Sequence, residues 1–181
     1  MRSKVSRSMG ARSVGRRLVG AGAACVALAA ASGCTAPVDA VAGVSVTADG
    51  RLLGVMTVCG HRIDGATLYV DGADPDKEET VGSWTADRPL TAGLTTWPLD
   101  APADGWTTDT TLAPLTAKTT YTLYGWTKDN SSSSLSVSFT LSDRAGLTPG
   151  MVRYDAISDD GDESAVTVPL AKFESEACED G

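Results

Sequence analysis

From residue 40 onward, apolar and polar residues alternate over short stretches, and turn-forming residues separate these stretches. The clearest case is Leu135–Leu141, whose sequence LSVSFTL places an apolar residue at every second position. Such alternation matches the two faces of a strand, and no window beyond residue 40 shows a convincing 3.6-residue helical period. The chain is therefore predicted to be all-β, and its short, regularly separated strands favour a single antiparallel β-sandwich.

Turn residues divide the predicted sandwich into strands. Asp49-Gly50 is a strong signal for a β-hairpin, and a second turn is expected at Asp64-Gly65, with a positive φ at the glycine. The predicted strands are Gly43–Ala48, Leu52–Cys59, Ala66–Val70, Thr80–Ala86, Gly93–Leu99, Trp106–Leu112, Tyr121–Thr127 and Leu135–Leu141, with weaker candidates at Met151–Tyr154 and Ala165–Leu170.

The segment 115–141 carries a more specific pattern. Leu115, Thr119 and Tyr121 have the L-x-P-x-T-x-Y spacing of a tyrosine corner, with Ala117 in place of the proline. A corner tyrosine buries its ring and bonds its hydroxyl to upstream backbone, which fixes how the chain enters the next strand. With the alternating strand that follows, the segment resembles the end of a fibronectin type III or related immunoglobulin-like domain. The resemblance implies a fold and no activity.

Strand parity predicts a surface patch of aromatic residues. If Tyr121 faces the core, then Tyr124 and Trp126 face outward, and Tyr69 does so on the strand Ala66–Val70. In a sandwich these two strands are neighbours, so Tyr69, Tyr124 and Trp126 are expected to form a binding patch among small hydroxyl residues. Trp84, Trp97 and Trp106 are assigned to packing within the fold.

The alternative is that the C-terminal residues cover this patch. The chain beyond Thr148 contains apolar residues, and a disulfide at Cys178 would hold it against the body of the fold. Additional strands there could make the three aromatic residues part of a second small core. The sequence leaves both arrangements open.

The first 33 residues have the features of an export signal. They contain six basic residues and no acidic one, and an apolar run at Leu18–Ala31 precedes Ser32-Gly33-Cys34. Such a run is too short to span a membrane and is typical of a secretory signal peptide. Ala31-Ser32-Gly33-Cys34 resembles a bacterial lipobox, which implies cleavage before Cys34 and lipidation of its thiol. A plain secretory leader is the alternative. Several acyl chains on one cysteine would anchor the protein stably.

Two cysteines remain after Cys25 leaves with the leader and Cys34 is acylated. An even number of cysteines in an exported chain predicts a disulfide, here between Cys59 and Cys178. The bridge would close most of the domain into one loop. Two free thiols are the alternative.

Charge and motif content limit the remaining functions. Outside the leader there are 9 basic and 23 acidic residues, which argues against nucleic-acid binding. His61 is the only histidine and no G-x-S-x-G motif occurs, so we expect neither a catalytic site nor a metal site, and no cofactor. The acidic runs Asp71–Glu79 and Ser158–Glu163 lack the spacing of a Ca²⁺ loop and are predicted to be solvated loops.

These predictions divide the chain into a lipoprotein signal peptide (1–33), a lipid-anchored tether (34–41), a β-sandwich (42–157) and an acidic C-terminal tail (158–181). The leader and composition resemble uncharacterised lipoproteins of high-GC Gram-positive bacteria, which implies a location on the outer side of the cell membrane. The predicted function is a non-catalytic binding or adhesion module for a protein, a peptide or an envelope glycan. A structural envelope lipoprotein without a ligand site is the alternative, and a secreted hydrolase is a weaker one.

Overall fold

The computed structural model describes residues 36–70, 78–158 and 160–179. The prediction of an all-β fold is confirmed, because eleven strands dominate this part of the chain and only two short helices accompany them. In chain order the elements are β1 (Val38–Val46), β2 (Leu52–Val58), β3 (Ile63–Val70), β4 (Glu79–Leu90), β5 (Gly93–Pro98), β6 (Trp106–Thr110), β7 (Tyr121–Trp126), β8 (Ser133–Leu135), β9 (Val137–Phe139), α1 (Leu141–Gly146), β10 (Met151–Ile157), β11 (Glu163–Pro169) and α2 (Leu170–Glu176).

All eleven strands belong to one hydrogen-bonded sheet that consists of two runs. The first run has the order β5-β2-β1-β10-β11, and the second has the order β6-β4-β3-β7-β9; both are antiparallel throughout. The short strand β8 connects them, since it pairs in parallel with the first residues of β1 and antiparallel with the end of β7. β1 begins at Val38, so the predicted tether overlaps the first strand.

The main core lies between the two runs and contains the aromatic residues that were assigned to packing. Trp84 and Trp97 are almost completely buried, with ring centroids 6.4 Å apart. Trp106 stacks on Trp97 at 4.3 Å and is half-buried. Tyr121 and Leu123 point into the same core, as strand parity predicts.

The tyrosine corner has the predicted hydrogen bond. The ring of Tyr121 is buried, and its hydroxyl oxygen accepts the backbone N–H of Thr116 at 2.7 Å. Leu115 packs on the edge of the main core. The hydroxyl therefore fixes the segment before β7 to the first residue of that strand.

Glycines in the strands make room for tryptophan rings. A Cβ at Gly54 would lie 2.4 Å from the ring of Trp97 on the paired strand β5, and a Cβ at Gly65 would lie 2.4 Å from the ring of Trp126 on β7.

The predicted turn at Asp64-Gly65 is wrong. Gly65 lies inside β3 and has no positive φ; its role is to let an aromatic ring approach the backbone.

The predicted strand Leu135–Leu141 is interrupted, and the interruption changes which core its side chains reach. Val137 and Phe139 on β9 are buried in the main core, whereas Leu135 on β8 packs against a second, smaller cluster. Leu141 begins α1, whose N-cap Thr140 forms a capping box with Asp143. Strict alternation would have placed all of these apolar residues in one core.

The C-terminal tail completes the second cluster. β11 extends the first run beyond β10, and α2 returns across that run so that Phe173 and Ala177 are buried. The expectation that no helical period occurs beyond residue 40 is wrong here, because Leu170, Phe173 and Ala177 are spaced as one face of a helix. The other members of the cluster are Val41, Val55, Val152, Tyr154, Leu94, Leu135, Ala156, Val166 and Val168.

The predicted disulfide is confirmed. Cys59 and Cys178 are bonded, with their Cα atoms 5.5 Å apart and a separation of 119 positions in sequence. Cys178 follows Ala177 directly, so the bond holds the end of the tail next to the end of β2.

No helix in the described ranges is long and apolar enough to cross a membrane.

Candidate aromatic binding face

Tyr69, Tyr124 and Trp126 lie together on the outer side of the pair β3 and β7; we call them the aromatic face. In the register of this pair, Thr67 opposes Tyr124 and Gly65 opposes Trp126. The rings of Tyr69 and Tyr124 meet edge to face, with centroids 5.7 Å apart and planes 79° apart. All three side chains are half-buried, so they are packed against their neighbours and still reach solvent.

The position of Trp126 is set by two contacts with β3. Its six-membered ring lies over Gly65, where the absence of a side chain lets the ring contact the strand backbone. Its indole N–H donates a hydrogen bond of 2.9 Å to the hydroxyl of Thr67. A ring held at both ends in this way has lost most of its rotational freedom before any ligand arrives.

Hydroxyl groups surround the aromatic face. On one side the hydroxyls of Thr122 and Ser138 lie 3.1 Å apart across β7 and β9. On the other side the hydroxyls of Thr67 and Ser83 lie 3.5 Å apart across β3 and β4. Further along β4, the Thr85 hydroxyl donates to Asp109 at 2.6 Å. The predicted setting of small hydroxyl residues is therefore present.

The C-terminal tail does not cover the aromatic face. Its apolar residues pack in the second cluster, on the opposite run of strands, with Phe173 against β1 and β10. Within the described part of the chain, Tyr69, Tyr124 and Trp126 belong neither to this cluster nor to the main core. The sequence leaves open whether the tail buries these three aromatic residues in a second core. Over the residues that the structure describes, the tail does not bury them, so that alternative is wrong.

Burial and charge keep the Tyr124 hydroxyl protonated. Partial burial of the ring raises the pKa of Tyr124, and the negative charge of Glu78 raises it further, against a smaller opposing effect of a hydrogen bond with Thr67. The hydroxyl is consequently a hydrogen-bond donor throughout the physiological pH range.

A polar cluster that the sequence did not predict lies at the start of β1. Asp39 accepts hydrogen bonds from the Ser132 hydroxyl and from Nδ1 of His61, the latter at 3.0 Å. The Ser132 hydrogen bond is the largest factor that lowers the pKa of Asp39. Catalytic triads require the serine to bond to the histidine; here both bond to the aspartate, so the cluster does not form such a relay. No local signal reveals it, since Asp39 and Ser132 are 93 residues apart.

His61 itself is exposed in the turn between β2 and β3, and its side chain pairs with that of Asp39. Asp64, which is predicted to lie in a turn, is instead buried in β3 and accepts the backbone N–H of Lys128 at 2.9 Å. Both residues thus tie neighbouring segments together.

Several predicted features lie wholly or partly outside the described residues. Cys34 and the leader lie wholly outside them, and residues 71–77 of the acidic run Asp71–Glu79 do as well. Over residues 36–70, 78–158 and 160–179, no group of three or more His, Cys, Asp or Glu side chains is arranged to hold a metal ion.

Comparisons with known proteins found no matching family model, no matching curated protein and no matching solved structure.

Proposed function

We propose that this protein is a membrane-anchored extracytoplasmic lipoprotein that acts as a non-catalytic binding module. The observation that carries the proposal is the aromatic face, in which three rings lie side by side on one sheet surface, outside both cores. Rings that are ordered, partly exposed and surrounded by hydroxyl groups are suited to contact a protein, a peptide or a glycan.

The proposed location rests on the leader. The basic start, the apolar run and the lipobox-like residues before Cys34 support export followed by lipidation. The described chain begins two residues after Cys34, and the carbonyl of Pro37 already accepts the backbone N–H of Ser133 at 2.9 Å. An anchor on Cys34 would therefore hold the domain close to the bilayer, with little free chain between them. The Cys59–Cys178 disulfide supports an oxidising compartment.

We also propose that the domain is a β-sandwich of the fibronectin type III or immunoglobulin-like kind. The proposal is supported by the strand pairing: β1, β2 and β5 would correspond to strands A, B and E, and β3, β7 and β9 to strands C, F and G. The tyrosine corner then lies at the start of strand F, as expected. The fold alone does not specify a ligand, so the function rests on the aromatic face.

Chemical crosslinking on intact cells tests the binding function. The wild-type protein is compared with Tyr124→Ala and Trp126→Ala, and with Thr96→Ala as a matched control, because Thr96 is exposed on β5 in the other run of strands. We expect a crosslinked partner that is lost in the first two variants and retained in the control. If no partner depends on the aromatic residues, the alternative of a structural envelope lipoprotein without a ligand site replaces the proposal.

Lipid labelling tests the anchor independently. Labelling with a radioactive fatty acid is expected in the wild-type protein and absent in Cys34→Ala, because the Cys34 thiol is the proposed acceptor of the lipid. Cys59→Ala is the control, since its cysteine is assigned to the disulfide. Labelling that persists in Cys34→Ala would exclude Cys34 as the lipidated residue.

A further inference from the structure

We infer that the ligand of the aromatic face is an uncharged oligosaccharide that lies along β3 and β7. This inference rests on the proposed binding function and narrows its ligand to one chemical class. A sugar ring has an apolar C–H side and a rim of hydroxyls, so its binding site needs an accessible aromatic surface next to hydrogen-bonding groups. Trp126 and Tyr124 supply the first, and the half-buried Thr67 and Ser83 supply the second.

The position of Trp126 suits contact with a sugar ring. Its Cζ2 and Cη2 atoms lie over Gly65 on β3, and the side chain as a whole is half-buried, so part of the indole reaches solvent. The bond from its N–H to Thr67 uses the only polar atom of the indole, so the ring contributes surface and the surrounding hydroxyls contribute hydrogen bonds.

The length of the aromatic face suits a chain of several sugar units. Gly65, under Trp126, and Tyr69 are four residues apart on β3, which corresponds to about 13 Å along the strand. Tyr124 lies between these positions, opposite Thr67. Ring contacts are thus distributed along a line.

The charge around the aromatic face disfavours acidic ligands. The strands β3, β7 and β9 contain no lysine or arginine. Glu78 acts on Tyr124, and Asp109 bonds to Thr85 on the neighbouring strand. Within these three strands, a phosphate, sulfate or uronic acid would meet negative charge without a cation to pair with. Arg62 and Lys128 lie outside the strands, beyond the Trp126 end of the aromatic face, and Arg62 pairs with Asp129 there.

The sheet order disfavours an extended peptide or a large protein partner. β3 lies between β4 and β7, and β7 lies between β3 and the pair β8 and β9, so neither strand has a free edge to which a peptide strand could add. A stable protein interface needs about 800 Å² from each partner. Three half-buried rings supply a small part of that area.

The test uses the full chain, solubilised from its membrane in detergent. Cello-oligosaccharides and chito-oligosaccharides of increasing length are the neutral probes, hyaluronan oligosaccharides are the acidic counterpart, and binding is measured by isothermal titration calorimetry. We expect binding of a neutral series that strengthens with chain length. Tyr124→Ala and Trp126→Ala should each weaken it by at least about tenfold, whereas Thr96→Ala should leave it unchanged.

Two variants are used because a single one could lose binding by failing to fold. Tyr124→Ala keeps the contact between Trp126 and Gly65, so its loss of binding would not come from the loss of that contact. Equal or stronger binding of hyaluronan would overturn the inference about charge. If none of these sugars binds, the inference is overturned, and the crosslinking experiment then separates the two proposals. A protein partner that depends on Tyr124 would leave the binding function standing, and the absence of any such partner would remove both.

Discussion

Removal of the Cys59–Cys178 disulfide is expected to lower the free energy of unfolding by about 5 kcal/mol. The bond joins residues 119 apart, so in the unfolded chain it closes a loop that contains most of the domain. The loss of chain entropy for a loop of that length gives roughly 4.9 kcal/mol at 25 °C. For a domain of this size that corresponds to a decrease of about 10–20 °C in Tm.

The same bond should also control the end of the tail. Phe173 and Ala177 are fully buried, and Cys178 is the next residue. Burial of a phenylalanine side chain contributes about 1.5–3 kcal/mol, which is the main attraction that would keep α2 in place once the bond is broken. Without the disulfide, the backbone amides of α2 should exchange hydrogen faster than those of the core strands β3 and β7.

Urea unfolding measures this effect, with the fluorescence of the buried Trp84 and Trp97 as the signal. The oxidised wild-type protein is compared with the double variant Cys59→Ala/Cys178→Ala, and the free energies are extrapolated to water. Each single variant should be as unstable as the double variant, because the bond needs both cysteines. Reductant should bring the wild-type protein to the same midpoint and leave the double variant unchanged. A difference below about 1 kcal/mol would refute the reasoning from loop closure.

Three further predictions concern packing, a hydrogen bond and pH. Gly54→Ala should destabilise the fold by about 1–3 kcal/mol, because its Cβ would collide with the ring of Trp97. Gly146→Ala is the control, since a Cβ there meets open space and should be tolerated. The urea midpoints of the two variants are compared with that of the wild-type protein. Tyr121→Phe should cost about 1–2 kcal/mol by leaving a backbone N–H without its acceptor, and an unchanged midpoint would contradict the role of the corner. Hydrogen bonds from the side chain and backbone of Ser131 lower the pKa of Asp129 to about 2. The contribution of the Asp129 carboxylate to folding stability is therefore present above about pH 4 and is lost as the pH falls through 2. The stability difference between wild type and Asp129→Asn should therefore narrow over that interval, and a gap that is constant with pH would exclude the mechanism.

Alternation and turn residues predicted the strands well because both are local signals. The hairpin at Asp49-Gly50 and the strand Leu52–Val58 were found, with Gly50 at φ 81° as such turns require. The helices were missed because each is shorter than two full turns of periodic sequence. The capping box at Thr140 and Asp143 was nevertheless visible as a T-x-x-D pattern.

Parity also placed Tyr69, Tyr124 and Trp126 on one surface, since it needs only the pairing of β3 with β7. It could not decide whether the tail covers that surface, because the answer depends on which run of strands β10 joins. The pairing of β10 with β1, which directs the tail away from the aromatic face, is a long-range contact without a local sequence signal. The cluster of Asp39, Ser132 and His61 likewise depends on long-range contacts that no local sequence signal reveals.

The position of the disulfide has a mechanical consequence. The backbone N–H of Cys59 bonds to the carbonyl of Asp39 at 2.7 Å, so the bridge to Cys178 lies beside the point where the chain enters β1. The covalent path between residues 36 and 178 runs through residues 36–59 and the S–S bond, so tension between these two residues reaches the rest of the domain only through the non-covalent contacts of this segment, such as the pairing of β1 with β8 and β10 and of β2 with β5. A pull on the chain can peel the hairpin of β1 and β2, but it cannot draw out the strands that carry the aromatic face.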